Sequence, residues 1–447
     1  LPIINILADL CKPCNYYCGA FAFFLKISTV FVSCNQIIEM PPISPKKNIT
    51  LLILVAALGY FVDIYDLLVF SIVRVESFKD IGIAEQDMRR YTEYVINMQM
   101  GGLLLGGILW GIMGDKLGRI KVLFGSILLY SIANTVNGFI TDIHSYAIVR
   151  FIAGIGLAGE LGAGITLVSE TMDRNKRGYG TMIVAFVGLF GAVAAYMVHR
   201  YFNWRTAYIT GGTLGFILLL LRIGTFESGL YKLTAQSNVA RGDIKLLLRN
   251  RKRWTRYIHC IMIGVPLWFV VGILITQSPE IGKALGAVEP LNAGQAVMYS
   301  YIGISVGDLL AGLLAQVTKS RKFAVVVFLL LSVCTVMWYL NSYGLDNNQF
   351  RWIAFAMGIG VGYWATFVTI ASEQFGTNIR ATVTTTVPNF VRGSLIPITF
   401  LFEFLVHQLA IIPAAYITMF LLTGLALYSL SRLKESFNKD LDYMEED

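Results

Sequence analysis

Charge is scarce in this sequence. Asp, Glu, Lys and Arg make up 14% of its 447 residues, against about 25% in an ordinary soluble domain. A water-soluble globule cannot hide the 56% hydrophobic content, whereas lipid can face it. Histidine is scarcer still: four scattered residues exclude an imidazole-rich metal site. The cysteines are few and uneven. Cys11, Cys14, Cys18 and Cys34 crowd the start, and Cys260 and Cys334 lie alone in apolar runs. With no second CxxC and no nearby His, the early cluster does not read as a metal or redox centre. No nucleophile–base pair stands out. The loose GxGxxG of Gly154, Gly156 and Gly159 opens no βαβ unit and is no dinucleotide site. An enzyme is therefore the least supported class, and no metal or cofactor is implied. The net charge of +8 does not indicate nucleic acid, because the cations sit in short loops between apolar runs, where membrane topology is written.

What the sequence has is a succession of such runs. They lie near 49–73, 93–114, 120–140, 146–169, 178–199, 204–224, 256–276, 295–317, 323–341, 350–371, 381–405 and 408–431. Continuous runs of about 20 residues are helices; barrel strands would be half as long and alternating. The expected fold is an all-α integral membrane protein with twelve transmembrane helices in two six-helix bundles. The expected domains are an N-terminal extension and lead over 1–45, a first bundle over 46–224, a linker over 225–255, a second bundle over 256–431 and an acidic tail over 432–447. The character changes at Met40, where MPPISPKKNITLL reads as the lead into a first span, so the functional protein is expected to begin near there. The rival reading makes residues 19–33 an additional membrane-associated segment.

Charge sets the orientation. Lys46 and Lys47, Lys116, Arg119 and Lys121, Arg174, Lys176 and Arg177, the basic linker, and Lys319, Arg321 and Lys322 fall on one face of a twelve-span chain. That face, with both termini, is expected to be cytoplasmic. The tight turn GIMGDKLGRIK at 111–121 joins the second and third spans. Its cations open a helix, against the helix dipole, so either positive-inside retention or a latch between helices holds them there. A faded copy, GLLAQVTKSRK, stands at 312–322, with Gln316 for the acid and Ser320 for the arginine. Glu170 with Arg177 and Glu373 with Arg380 repeat at the same place in each half. Such internal repeats are expected of secondary transporters, whose halves rock about a central site.

The chain resembles the major facilitator superfamily of secondary transporters. GIMGDKLGR is similar to that family's loop signature. RFIAGIGLAGE at 150–160 is similar to the fourth-helix motif of its sugar porters and metabolite:proton symporters, and WRTAYITGG at 204–212 and FESG at 226–229 resemble its pieces around helix six. The resemblance covers roughly residues 45–431. The fifth helix lacks the Gly-Pro pattern of the family's drug antiporters, which implies uptake rather than drug export.

Ionisable groups inside lipid are costly and usually functional. Asp63 and Asp66, three apart in the first span, are expected on one side of its helix. Arg150 lies at matching depth in the fourth span, so a carboxylate–guanidinium pair is feasible. The resemblance places the proton carrier at Asp66 and its partner at Arg150, with Asp63 facing substrate or sharing the proton. Glu160, ten residues on, is a brace for the inner gate before it is a second proton site. Arg392, mid-span between Pro388 and Pro397, is the candidate anion-binding group. Asp308 either neutralises it or carries a further proton. Tyr65, Gln99, Asn134, Tyr363, Trp364 and Asn389 are candidate cavity residues. Asp115, Arg119, Glu170 and Arg177, with Glu373 and Arg380 in the second half, form the expected cytoplasmic gate.

The expected function is proton-coupled uptake of a small anionic or zwitterionic metabolite by alternating access. The alternative is a uniporter or an exporter of a larger organic anion such as a metal chelator; a non-transporting receptor is the reading from another class. Expected partners are the substrate, protons and membrane lipid, with no nucleic acid. A monomer in the plasma membrane, the bacterial inner membrane by this reading, suffices. Neutralising Asp115 (D115N) is expected to cripple turnover while leaving membrane insertion intact, as measured by flux alongside surface labelling; normal flux removes the gate role.

Overall fold

The protein is described by a computed structural model covering residues 45–117, 119–160, 177–221, 250–437 and 444. The early cysteines, Met40, Glu170 and most of the linker lie outside the described residues. Every described regular element is a helix, as backbone without access to water requires. The first half contributes α1 (Pro45–Asp80), α2 (Met88–Leu117), α3 (Arg119–Asn137), α4 (Ile143–Leu157), α5 (Arg177–Leu189), α6 (Gly191–Tyr201) and α7 (Trp204–Leu221). The second contributes α8 (Arg251–Phe269), α9 (Ser278–Ala284), α10 (Ala293–Thr318), α11 (Arg321–Leu340), α12 (Asn347–Gly360), α13 (Trp364–Glu373), α14 (Thr377–Gly393), α15 (Leu395–Leu409) and α16 (Ile411–Arg432).

Among the described residues, ten helical segments are long and apolar enough to cross a membrane. Helices α3 and α4 occupy the third and fourth places of the twelve-span order. Three expected spans are each broken into two helices, at Phe190, at 361–363 and at Ser394. The last break follows from Pro397, which has no N–H to return to the Gly393 carbonyl one turn earlier. Helix α8 contains Pro266 and opens into a wider π turn at Val270–Ile275, the kind of irregularity that membrane helices keep where they line a cavity. Helix α1 runs to Asp80, beyond the boundary expected at 73, and so takes in Arg74.

Glycine contacts carry the internal repeat into three dimensions. A Cβ at Gly102 or Gly106 of α2 would fall on the carbonyl oxygens of Phe151 or Ile155 in α4, and one at Gly154 on that of Gln99. In the second half, Gly303 and Gly307 of α10 stand in the same relation to Phe355 and Ile359 of α12, and Gly358 to Ser300. Small residues let these backbones touch, which is what drives association where lipid is as apolar as the helix.

Polar caps fix the helix ends. Asp142 accepts from the backbone N–H groups of His144 and Ser145 at the start of α4. With the Ser145 side chain, they hold its carboxyl below the ordinary aspartate value. The segment after α16 is held at its beginning. Glu435 accepts from Ser320 Oγ at 2.6 Å and from the Arg321 N–H at 3.1 Å, capping α11 from the far end of the chain. Partial burial pushes this carboxyl up, but the Ser320 hydroxyl and the N–H groups of Phe437, Arg321 and Ser436 outweigh it and hold it below the ordinary glutamate value.

The glycine contacts give a direct stability test. Gly154→Val drives a side chain into the Gln99 backbone, an overpacking that costs on the order of 3 kcal/mol or more. It is expected to remove most monodisperse protein in a size-exclusion and thermal-melt assay. Gly424, with nothing within 4 Å of a built Cβ, is expected to accept Ala with no change.

Candidate functional site

A cavity lies where the two halves face each other. Tyr60 and Ile64 of α1 and Leu189 of α5 line it from the first half. Leu267 and Trp268 of α8, Tyr301 and Ile304 of α10, Trp364 of α13 and Arg392 of α14 line it from the second. The empty space among these residues, its part open to solvent included, is about 260 Å³. The Arg392 guanidinium lies 5.5 Å from the centre of the Trp364 ring, in cation–π range. Its Nη2 is 3.5 Å from Asp63 Oδ2, and the two side chains are 1% and 0% exposed. This pair joins α1 to α14, and so one half to the other.

Asp308 is not the counter-ion of Arg392. Its Oδ1 accepts from the Ala365 N–H at 2.9 Å and so caps the start of α13. The cap follows from local chemistry: the break at 361–363 frees the N–H groups of a new helix, and a buried acid facing them satisfies one. Asp308 thereby holds the turn that carries Trp364.

Asp63 and Asp66 do not share an environment. Three residues of an α-helix turn the chain by 300°, leaving the two side chains about 60° apart. At the seam between halves that is enough to separate them. Asp63 meets Arg392, while Asp66 packs over Gly211 of α7, inside the first half. The expected carboxylate–guanidinium contact between Asp66 and Arg150 takes another form. Arg150 donates through Nη2 to the Asp66 backbone carbonyl at 2.9 Å, through Nη1 to Asn134 Oδ1 at 3.0 Å and through Nε to Gln99 Oε1 at 3.3 Å. It also lies 5.5 Å from the Tyr208 ring centre. The guanidinium is fully engaged, and the Asp66 carboxylate, 0% exposed, lies in its field beside the Asn134 side chain.

Other expected cavity residues serve the scaffold. Gln99 also donates to the Leu67 carbonyl, so it and Asn134 position Arg150. Tyr65 donates to the Ala207 carbonyl and Tyr363 to that of Ile263, each with its hydroxyl spent. Asn389 donates to the carbonyls of Ala158 and Thr385, stitching α14 to the end of α4. Trp364 alone of that group lines the cavity. Glu160 is buried, 1% exposed, and within Coulombic reach of Asp63.

The halves also meet at both ends. At the end that bears the basic loops, Gly107 and Gly111 of α2 lie against Asn389, Thr382 and Thr386 of α14. Asp115 follows one turn beyond on α2; the side chains of Asp115, Arg119 and Arg177 lie outside the described residues. Glu373 is paired with Arg321, whose Nε and Nη2 reach its two oxygens at 2.8 Å each, and Arg380 donates to the Phe375 carbonyl. At the opposite end, Arg74 donates to both oxygens of Glu280 at 3.1 and 3.0 Å, to the Thr276 carbonyl and to Thr92. Arg89 pairs with Glu403 across the halves and with Glu93 on its own helix, and Gln277 donates to Glu93. Sequence reasoning missed this clasp because the first span was ended one residue short of Arg74. An arginine in FSIVRVES, continuous with the apolar run, was the available signal. Tyr60 was legible too, one helical turn before Asp63 and hence on its face.

With this geometry in place, the relatives fall into line. A profile for the Major Facilitator Superfamily matches residues 56–400, and the chain belongs to that family. The Bacillus subtilis protein NiaP, named for niacin/nicotinamide transport, is 26% identical over 364 residues, 79% of this chain and 87% of its own. The Acinetobacter baylyi niacin transporter NiaP is 31% identical over 179 residues, 39% of each chain. The benzoate transport protein of the same organism is 20% identical over 395 residues, 74% of this chain and 84% of its own. The solved structure of the proton:xylose symporter XylE superposes with a TM-score of 0.67 at 17% identity, covering 89% of this chain and 98% of that one. This chain is thus an integral membrane transporter of a small molecule, not an enzyme.

The clasp at the far end predicts a rescue. Arg74→Glu or Glu280→Arg alone is expected to lower transport and raise labelling of an Ile304→Cys probe by an impermeant thiol reagent. The double reversal is expected to restore both, with a coupling on the order of 1 kcal/mol or more in a double-mutant cycle.

Proposed function

We propose that this transporter takes up a small aromatic or heteroaromatic carboxylate together with protons. The observation that carries the reading is the chemistry of the cavity wall. Trp268 Nε1, Trp364 Nε1 and Arg392 Nε and Nη1 are buried donors with no hydrogen bond among the described residues. Buried donors are normally satisfied, so the complementary ligand is rich in acceptors, and a guanidinium favours a carboxylate. Four aromatic walls, Tyr60, Trp268, Tyr301 and Trp364, suit a flat ring. Relatives named for niacin and benzoate transport agree with this class.

The residue ranges 46–224 and 256–431 are the proposed rocking halves, with the basic-loop end in the cytoplasm of a plasma membrane. One chain holds both halves, so a monomer is sufficient. Asp66, enclosed with Arg150 inside the first half, is the proposed proton carrier; in this reading Arg392 and Trp364 receive the substrate. Closure at the cytoplasmic end falls to Asp115, Arg119, Glu170 and Arg177, with Glu373 and Arg380 in the second half.

Proteoliposomes loaded at pH 7.5 and diluted to about pH 5.5 are expected to accumulate labelled nicotinate or benzoate, and far less at equal pH. Arg392→Gln is expected to abolish uptake. Trp364→Leu is expected to raise KM roughly tenfold, the size of a lost stacking and cation–π contact. Uptake of a neutral sugar with none of either acid sinks the proposal.

A further inference from the structure

We infer that the substrate carboxylate and the Asp63 carboxylate are alternative occupants of Arg392, so that the anion binds by displacing Asp63 and the displaced Asp63 takes up a proton. The inference rests on the aromatic carboxylate reading above and adds the event that ties binding to proton uptake.

Three observations carry it. First, the Asp63–Arg392 contact crosses the two halves with both side chains buried, yet at 3.5 Å it is longer than the roughly 2.7–2.9 Å of a charge-assisted hydrogen bond. The contact runs from Nη2 of Arg392, and Nε and Nη1 make no hydrogen bond among the described residues. The internal pair is therefore a loose one that a bidentate carboxylate can better. Second, Arg392 and the residues flanking Asp63 on α1, Tyr60 and Ile64, line the same cavity, so the entering anion meets the pair directly. Third, among the described residues Arg392 is the one cation acting on Asp63. The charged groups that act on it are Arg392 on α14 and Glu160, three residues past the end of α4, and it in turn acts on Asp66, Tyr60 and Tyr301. The second cation of the region, Arg150, is held by Asp66 O, Asn134 and Gln99.

Two carboxylates cannot both stay ionised beside one buried guanidinium. The balance is simple. One O–H bond forms on Asp63, its proton drawn from water on the side to which the cavity is open, and no bond of the substrate breaks. On the other side the anion leaves, Asp63 returns to Arg392, and the proton goes to that solution. The exchange also lets the halves part: with a neutral Asp63, the charged link between α1 and α14 is gone while the substrate holds Arg392.

The test is calorimetric binding of nicotinate, with benzoate as a second probe, to purified full-length protein in buffers of different ionisation enthalpy. The wild type is expected to take up about one proton per anion near neutral pH, the count for one displaced carboxylate. Asp63→Asn is expected to bind roughly tenfold tighter or more, because the competitor for Arg392 is gone, and to take up none. Binding by the wild type with no proton uptake overturns the inference and leaves the substrate reading standing. So does an Asp63→Asn variant with wild-type affinity and uptake. Binding of neither acid overturns both. The wild-type proton count decides the matter even if Asp63→Asn fails to fold.

Discussion

A charge taken out of water must find a partner or become neutral, and the interior of this protein is arranged around that constraint. Arg150 resolves it by surrounding its guanidinium with two amides and a backbone carbonyl, leaving a rigid centre in the first half. Arg392 resolves it incompletely, with one loose acid across the seam and a tryptophan face beside it. Breaking a buried pair by removing one member is expensive, whereas exchanging its members is not. The firm arginine therefore serves as framework and the loosely held one as the point where occupancy can change.

In the proposed cycle the halves meet and part about that point. Glycine contacts between α2 and α4, and between α10 and α12, make each half stiff by bringing backbone against backbone. The contacts between halves differ in kind. At the far end they are ion pairs involving Arg74, Glu280, Arg89 and Glu403. At the basic-loop end, among the described residues, they include glycine against threonine and asparagine and the Asn389–Ala158 hydrogen bond. The Arg89 pairs are partly exposed and modest in energy, whereas Arg74 is buried against Glu280.

The all-helical, membrane-spanning character was legible because apolar runs and intervening cations are strong one-dimensional signals. So were Asp63, Asp66, Arg150 and Arg392 as buried charges, since an ionisable residue in an apolar run stands out by cost alone. What each one faces was not. Asp63 and Asp66 look equivalent in sequence, yet 60° of helix rotation sends one across the seam and the other toward Gly211. Asp308 looked like a counter-ion because charge was weighed and the freed N–H groups of α13 were not. Gln99, Tyr65 and Tyr363 have polar groups satisfied by carbonyls of other helices, partners that no spacing rule reveals. Glu435 was hidden among the other acids of the C-terminal segment, and its target at the start of α11 is more than a hundred residues away.

That hold by Glu435 gives the region past the final span an architectural duty. It clips the first turn of α11 to the end of α16, beside the Arg321–Glu373 pair. Handles for purification or fluorescent reporters fused directly behind Phe437 would tug on this clip. A spacer, or attachment at another exposed loop, is the sounder choice for anyone building a tagged form of the protein.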